Sequence, residues 1–214
     1  MHKEERYQAL IAHFSKQPEA TTELEYTTPF HLLIAVILSA QCTDKRVNQV
    51  TPELLKAFPT PAHLAKSHFE EVFPYIKSVS YPNNKTRHLI RMAQKLVEAF
   101  GGEVPTQVAD LQQLAGVGRK SAHVVASILY QTPAMAVDTH VMRVSKRLGL
   151  VDEEASTPLA VEKQLVEYLP EAYLAQAHHW LILHGRYVCL ARKPRCTSCA
   201  LRTFCRYYAD RQDT

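Results

Sequence analysis

Four cysteines crowd into the last part of the chain as Cys189-x6-Cys196-x2-Cys199-x5-Cys205, while the fifth, Cys42, stands alone. Thiolates gathered this closely enclose a metal centre more readily than they pair as disulfides, given that no export signal precedes them. Zinc modules usually repeat two Cys-x2-Cys knuckles. Here only Cys196 and Cys199 are so spaced, and the outer two sit on longer arms. The arrangement suits an iron–sulfur cubane somewhat better than zinc, although spacing alone does not choose the metal. Around the cysteines lie Arg186, Arg192, Lys193, Arg195, Arg202 and Arg206, the charge that a phosphate-contacting loop would carry.

A second constellation is Leu114-x-Gly116-x-Gly118-Arg119-Lys120. A tight Gly-x-Gly turn ahead of a helix points main-chain N–H groups at a phosphate oxygen. It is not a Walker motif and no strand is expected before it, which excludes a nucleotide-binding reading. A plain helix–turn–helix corner remains open. Lys120 opens a helix, where a lysine is ordinarily a solvated surface residue, and Asp138 precedes Thr139, where an aspartate is ordinarily a helix cap. Together they could form a nucleophilic amine and an activating carboxylate, provided the fold unites them.

The elements that would position these residues are helices. With 6 glycines in 214 residues and no Asn-Gly or Asp-Gly pair, hairpin signals are missing. Helices are expected over about Lys3 to Lys16, Thr28-Pro29 to Ala40, Asp44 to Phe58, and from a Ser67/Glu70 capping box to Ile76. Others run from about Asn83 to Phe100, ended by Gly101-Gly102, and on either side of the Gly-x-Gly turn. The last three are about Thr139 to Leu148 with Gly149 as cap, one starting at Ser156-Thr157-Pro158, and Glu171 to Tyr187. No repeat or low-complexity segment interrupts them. The fold class is all-α.

The net charge is +4 and the pI about 8.8, but its distribution says more. Arg186 to Arg211 holds seven Lys or Arg against Asp210 alone, whereas Asp152 to Glu171 holds six acids against Lys163. A basic end beside an acidic flank fits one surface that meets a polyanion, and an ordinary solvated surface accounts for it about equally well. The charged N-terminus offers no secretory or transit signal. The most apolar stretch, Phe30 to Ala40, is too short to span a bilayer and reads as a buried helix.

Leu114-Ala115-Gly116-Val117-Gly118-Arg119-Lys120-Ser121-Ala122, Val137-Asp138-Thr139-His140-Val141, His179-Trp180-Leu181-Ile182-Leu183-His184-Gly185-Arg186 and the four cysteines occur in that order. Together they closely resemble the endonuclease III family of the helix–hairpin–helix glycosylase superfamily, from Thr21-Thr22-Glu23-Leu24 to Cys205. The resemblance implies two helical domains with a DNA-binding cleft between them. One, residues 22–132, is a six-helix barrel with the helix–hairpin–helix at about 107–130. The other, residues 1–21 plus 133–214, holds one [4Fe–4S] cluster on Cys189, Cys196, Cys199 and Cys205, in the loop 189–205. It further implies a monomer in the bacterial cytoplasm, bound at the nucleoid through double-stranded DNA carrying damaged bases or abasic sites.

The implied activity is that of a bifunctional DNA glycosylase and abasic-site lyase. The damaged base must first leave the stack, at a cost of a few kcal/mol that a poorly stacking lesion reduces. Lys120 would then displace the oxidised pyrimidine, Asp138 would stabilise positive charge on the sugar, and a Schiff base would lead to β-elimination. By similarity, Leu114, Gly116, Val117, Gly118 and Arg119 grip phosphates, Gln41 fills the space left by the extruded base, and His140, Arg143 and Lys193 also contact DNA. Tyr81 is the candidate second wedge; the alternative is that it packs inside the protein. The runner-up within the superfamily, an adenine-removing mismatch glycosylase, needs a catalytic acid in the helix Pro29 to Gln41, a residue other than lysine at 120, and a long extra C-terminal domain. A non-enzymatic DNA-binding module would need neither Lys120 nor Asp138, and a zinc-ribbon regulator would be colourless rather than brown. Two departures stand out. Ala115 replaces the usual hairpin proline, and in Val79-Ser80-Tyr81-Pro82 relatives tend to have glycine at Ser80 and an aromatic near Pro82. Cys42 reads as a packed small residue.

Overall fold

The computed structural model describes residues 1–18 and 20–211, and among these it is helical with no strand. In chain order the helices are α1 (Lys3–Phe14), α2 (Pro29–Ser39), α3 (Asp44–Ala57), α4 (Pro61–Ala65), α5 (Phe69–Ile76), α6 (Pro82–Phe100), α7 (Val108–Leu111), α8 (Arg119–Tyr130), α9 (Thr139–Leu148), α10 (Pro158–Tyr168), α11 (Glu171–Tyr187) and α12 (Arg206–Ala209). Two 3₁₀ turns, Cys196–Ser198 and Arg202–Phe204, lie between α11 and α12. The chain divides into two compact units, Thr22–Thr132 and Met1–Thr21 with Pro133–Thr214.

In the unit Thr22–Thr132, α2 is the hub. Phe30 and Leu32 through Leu38 are all buried, as a helix apolar on every side must be. Thr28 caps it, its hydroxyl accepting the His31 N–H at 3.2 Å, with Pro29 in the first turn. Helices α3, α6 and α8 pack on it, and α4 and α5 lie against α6. Large side chains of this core such as Leu33, Ile37, Leu89 and Met92 are fully buried, and each contributes about 1.5–3 kcal/mol. Helix α6 ends in a left-handed Gly101, with the Gly102 N–H donated to the Leu96 carbonyl at 2.9 Å.

Two local expectations are corrected. The capping box of α5 is His68 with Glu71, whose carboxylate accepts the His68 N–H at 2.6 Å. Ser67 instead donates to the Leu64 carbonyl at 2.7 Å, because α4, a helix not expected from the sequence, ends there and claims it. That helix has its own start signal, Thr60-Pro61, with the Thr60 hydroxyl accepting the His63 N–H at 3.3 Å.

The other unit joins the two ends of the chain. Tyr7 and Leu10 of α1 are buried with Val141, Val144, Trp180 and Leu181. The Tyr7 hydroxyl donates to the Leu150 carbonyl at 2.9 Å, and Phe14 stacks on Trp180 with ring centroids 5.3 Å apart. Helices α10, α11 and α12 all contact α9. Gly185 allows the close approach of α11 to α9, since a Cβ there would lie 2.9 Å from the Cβ of His140. Arg6 donates to the Leu148 carbonyl at 2.9 Å and also to the Phe204 carbonyl. It thereby ties α1 to the end of α9 and to the cysteine-bearing loop.

Candidate nucleic-acid interface and metal centre

The Gly-x-Gly turn links α7 to α8. Its side chains and its backbone have different tasks. Leu114 and Val117 are buried, at 2% and 5% exposure, so neither side chain can reach a ligand, and any contact from these two must come from the main chain. They pin the turn, which is closed by the Val117 N–H donating to the Leu114 carbonyl at 3.1 Å. Gly116 has φ of +82°, and an added Cβ would lie 3.0 Å from the Cβ of His88; both facts require glycine. Gly118 precedes α8 with open space where a side chain would go and no side-chain cap on the helix. The first turn of a helix presents N–H groups without intrahelical acceptors, and an anion there also meets the positive end of the helix dipole. Gly116, Gly118, Arg119 and Lys120 are all exposed.

Asp138 caps α9. Its Oδ1 accepts the N–H groups of both His140 and Val141 at 2.8 Å, and the residue is half-buried. The cap fixes the carboxylate at the N-terminus of α9. His140, in the first turn of α9, meets Arg143 with 3.1 Å between its Nδ1 and the guanidinium. Arg143 also donates to the carbonyls of Cys189 at 3.2 Å and Gly185 at 2.9 Å. The structure thus places Arg143 as a strut between α9 and the end of α11. Lys193 is exposed and left-handed, with φ of 50°. Lys120 belongs to the unit Thr22–Thr132 and Asp138 to the other.

Gln41 and Tyr81 share two properties. Both are exposed, Tyr81 at 62%, and both hold left-handed φ, 55° and 54°. The alternative of a packed Tyr81 is therefore set aside. Left-handed backbone costs a non-glycine residue roughly 1–2 kcal/mol, and both turns sustain it side by side. They are joined: the Ser80 hydroxyl donates to the Gln41 carbonyl at 2.6 Å.

The four clustered cysteines are free thiols that together line one open pocket. Among the described residues no three His, Cys, Asp or Glu side chains converge as ligands of a single ion. Four cysteine sulfurs around one pocket are the donor set that an iron–sulfur cluster takes. Burial pushes the thiols of Cys199 and Cys205 up, and the neighbouring cysteines raise them further. Four thiolates here need cationic charge among them. Arg147, absent from the sequence-based candidates, donates to the Cys189 sulfur at 3.4 Å and to the carbonyls of Leu190 and Ala191 at 2.7 and 3.0 Å. Its own carbonyl accepts from the Cys205 thiol at 3.3 Å. His184 Nε2 lies 3.6 Å from the Cys199 sulfur. The residues present fit the group.

Residues 34–171 match the model of the HhH-GPD superfamily base excision DNA repair proteins. Endonuclease III of Rickettsia prowazekii (strain Madrid E) is 46% identical over 91% of this chain and 92% of its own. The chain belongs to the endonuclease III family of the HhH-GPD superfamily. A solved structure of a non-covalent endonuclease III–DNA complex matches it with a TM-score of 0.91 and 41% identity over all of both chains. One of a trapped endonuclease III–DNA covalent intermediate, an estranged-adenine complex, matches with a TM-score of 0.89 and 40% identity over 99% of each.

Family membership makes this chain a DNA glycosylase of base excision repair. The matched family segment contains Gln41, Tyr81, the hairpin, Lys120 and Asp138, but ends before the cysteines. Those fall within the wider likeness to endonuclease III, which spans the whole chain. No helix among the described residues is long and apolar enough to cross a membrane.

Proposed function

We propose that this glycosylase is bifunctional: it removes oxidised pyrimidines from double-stranded DNA and then cleaves the strand at the abasic site through a lysine Schiff base, acting as a monomer. The observation that carries the reading is the junction of the hairpin and α8. One short segment offers an uncapped helix N-terminus as a phosphate seat and an exposed amine, Lys120, two residues beyond Gly118. The phosphate fixes the register of the strand, and the amine acts on the sugar that follows from it.

The lone pair of the Lys120 amine forms a bond to C1′ while the C1′–N bond breaks and its electron pair leaves with the base, which takes up a proton. Attack requires the neutral amine, since only its lone pair is nucleophilic. Asp138, whose Oδ1 is held by the first turn of α9, is assigned stabilisation of the positive charge that develops on the sugar and the movement of the lysine proton. Opening of the sugar ring gives the protonated imine. Loss of the C2′ proton then drives expulsion of the 3′ phosphate by β-elimination, and water releases the lysine.

Cys189, Cys196, Cys199 and Cys205 are the residues that would hold a [4Fe–4S] cluster, whose iron, when bound, supplies the positive charge that four thiolates require and fixes the loop. Arg147 and Arg143 secure the same loop to α9. The basic residues Arg192, Lys193 and Arg195 would thereby be held for phosphate contact.

Borohydride reduction tests the mechanism, since it freezes the imine as a stable amine. Wild-type protein with a thymine glycol duplex should yield a covalent adduct whose linked residue is Lys120. Lys120→Ala should abolish it and leave binding largely intact. An adduct formed by Lys120→Ala would assign the nucleophile elsewhere.

A further inference from the structure

Lys85 has no part in the chemistry above, yet it is 5% exposed. Lysine is almost never fully buried unless its charge is satisfied. Here the ammonium donates to two main-chain carbonyls, Leu38 at 2.8 Å and Ala40 at 2.7 Å. These are carbonyls at the C-terminal end of α2, where a helix leaves acceptors unpaired and its dipole favours a cation. Helices often close such an end with a left-handed glycine. Gly101 does so for α6 and Gly149 for α9. After α2 the left-handed residue is Gln41 itself, so the turn lacks that freedom and is held from outside.

The holding segment is the one that carries Tyr81. The Ser80 hydroxyl donates to the Gln41 carbonyl at 2.6 Å, the Lys85 N–H donates to the Tyr81 carbonyl at 3.2 Å, and the Lys85 ammonium takes the Leu38 and Ala40 carbonyls that lead into Gln41. Burial pulls the Lys85 pKa below the usual lysine range, with nearby Cys42 acting in the opposite sense.

We propose that Lys85 is a positioning residue that locks the left-handed turn of Gln41 to the turn of Tyr81, so that the two exposed side chains enter DNA as one preset unit. This rests on the reading of Gln41 and Tyr81 as the residues that occupy the space of the extruded nucleotide. Preset turns do not have to be ordered when the base leaves the stack, so the lock should favour lesion binding over general DNA binding.

The test uses the full-length holoprotein with Lys85→Met, Lys85→Gln, Lys85→Arg, Gln41→Ala and the Gln41→Ala/Lys85→Met pair. The Cys42 N–H, which donates to the Ser39 carbonyl at 3.0 Å, reports the turn without DNA. Its hydrogen exchange should accelerate by about tenfold or more in Lys85→Met, and in Lys85→Gln should Lys85→Met fail to fold; Lys85→Arg should restore part of the protection. Affinity for a duplex with a tetrahydrofuran abasic analogue should fall by about tenfold, and that for undamaged duplex by less than about twofold. The paired variant should lose less affinity for the analogue than the product of the two single losses, because Lys85 acts in part through the Gln41 turn. Unchanged Cys42 exchange, or losses that multiply in the paired variant, would overturn the proposal. If Gln41→Ala binds the analogue normally, the gap-filling reading fails instead, and Cys42 exchange still decides the role of Lys85.

Discussion

Replacing Tyr81 separates what its ring does from what its backbone costs. The ring is 62% exposed, and the backbone is left-handed at φ 54° directly before Pro82, where the preceding residue is normally driven to extended conformations. Tyr81→Ala removes the ring and keeps the backbone penalty; Tyr81→Gly removes both. Glycine relieves about 1–2 kcal/mol of left-handed strain but loses about 0.4–1 kcal/mol through greater freedom of the unfolded chain. The net gain lies between about zero and 1.5 kcal/mol. For a chain of this size it should hold or raise the Tm by up to about 5 °C. Stacking of an aromatic ring on a base is worth roughly 1–3 kcal/mol. Both variants should therefore bind an abasic-analogue duplex about 5- to 150-fold more weakly than wild type. Undamaged duplex, in which little is extruded, should lose much less. Calorimetry and fluorescence anisotropy read the two quantities on the same preparations. A Tm lowered by more than about 4 °C in Tyr81→Ala, with equal losses on both duplexes, would refute the argument and make the ring a structural prop.

Asp138→Asn keeps an oxygen for the α9 cap and should slow base release strongly at unchanged Tm. Asp138→Ala also loses the cap at about 1 kcal/mol, lowering the Tm by about 2–4 °C, so equal melting of the two variants would refute the capping account. Gly116→Ala forces a Cβ to 3.0 Å from His88 in a backbone at φ +82°; it should cost about 1–3 kcal/mol and weaken damaged and undamaged duplex alike, as measured by denaturation and binding. Iron analysis of anaerobically purified protein should give about four iron atoms per chain, and stoichiometric zinc without iron would refute the cluster. The Lys3 ammonium, 2.7 Å from Asp152, holds that carboxyl below its ordinary value of 3.8. Its contribution to stability is complete above that value and lost as pH falls through the lower folded pKa. Asp152→Asn should lower the Tm slightly above about pH 4, where the ion pair is lost, and flatten the acid limb of the Tm–pH curve below it.

What the sequence made legible was local. Helix α9 runs from Asp138 to Gly149 as expected because both ends are set by neighbours in the chain: a carboxylate two and three residues before the N–H groups it accepts, and a glycine that can turn left-handed. The same holds for Thr28-Pro29 and Gly101. The four cysteines were legible because their neighbours are one another. Legibility ended where a partner lies far along the chain. Lys85 sits in a helix with polar residues on most of its solvent side, and nothing within the helix marks it for burial. Its partners are 47 and 45 residues upstream. Arg147 follows Arg143 by one helical turn and so shares its face, a signal that could have placed it beside the cysteines once the role of Arg143 as a strut was known. Tyr81 marks the same limit in the backbone. Its position before proline argues for an extended conformation, and the observed left-handed turn coincides with a tie from Ser80 to the Gln41 carbonyl, 39 residues away. Lys85, Arg147 and Tyr81 are thus each tied by polar contacts from far along the chain. Lys85 and Tyr81 meet at the two turns whose exposed side chains are assigned to DNA, where a departure from local preference is the expected mark of function.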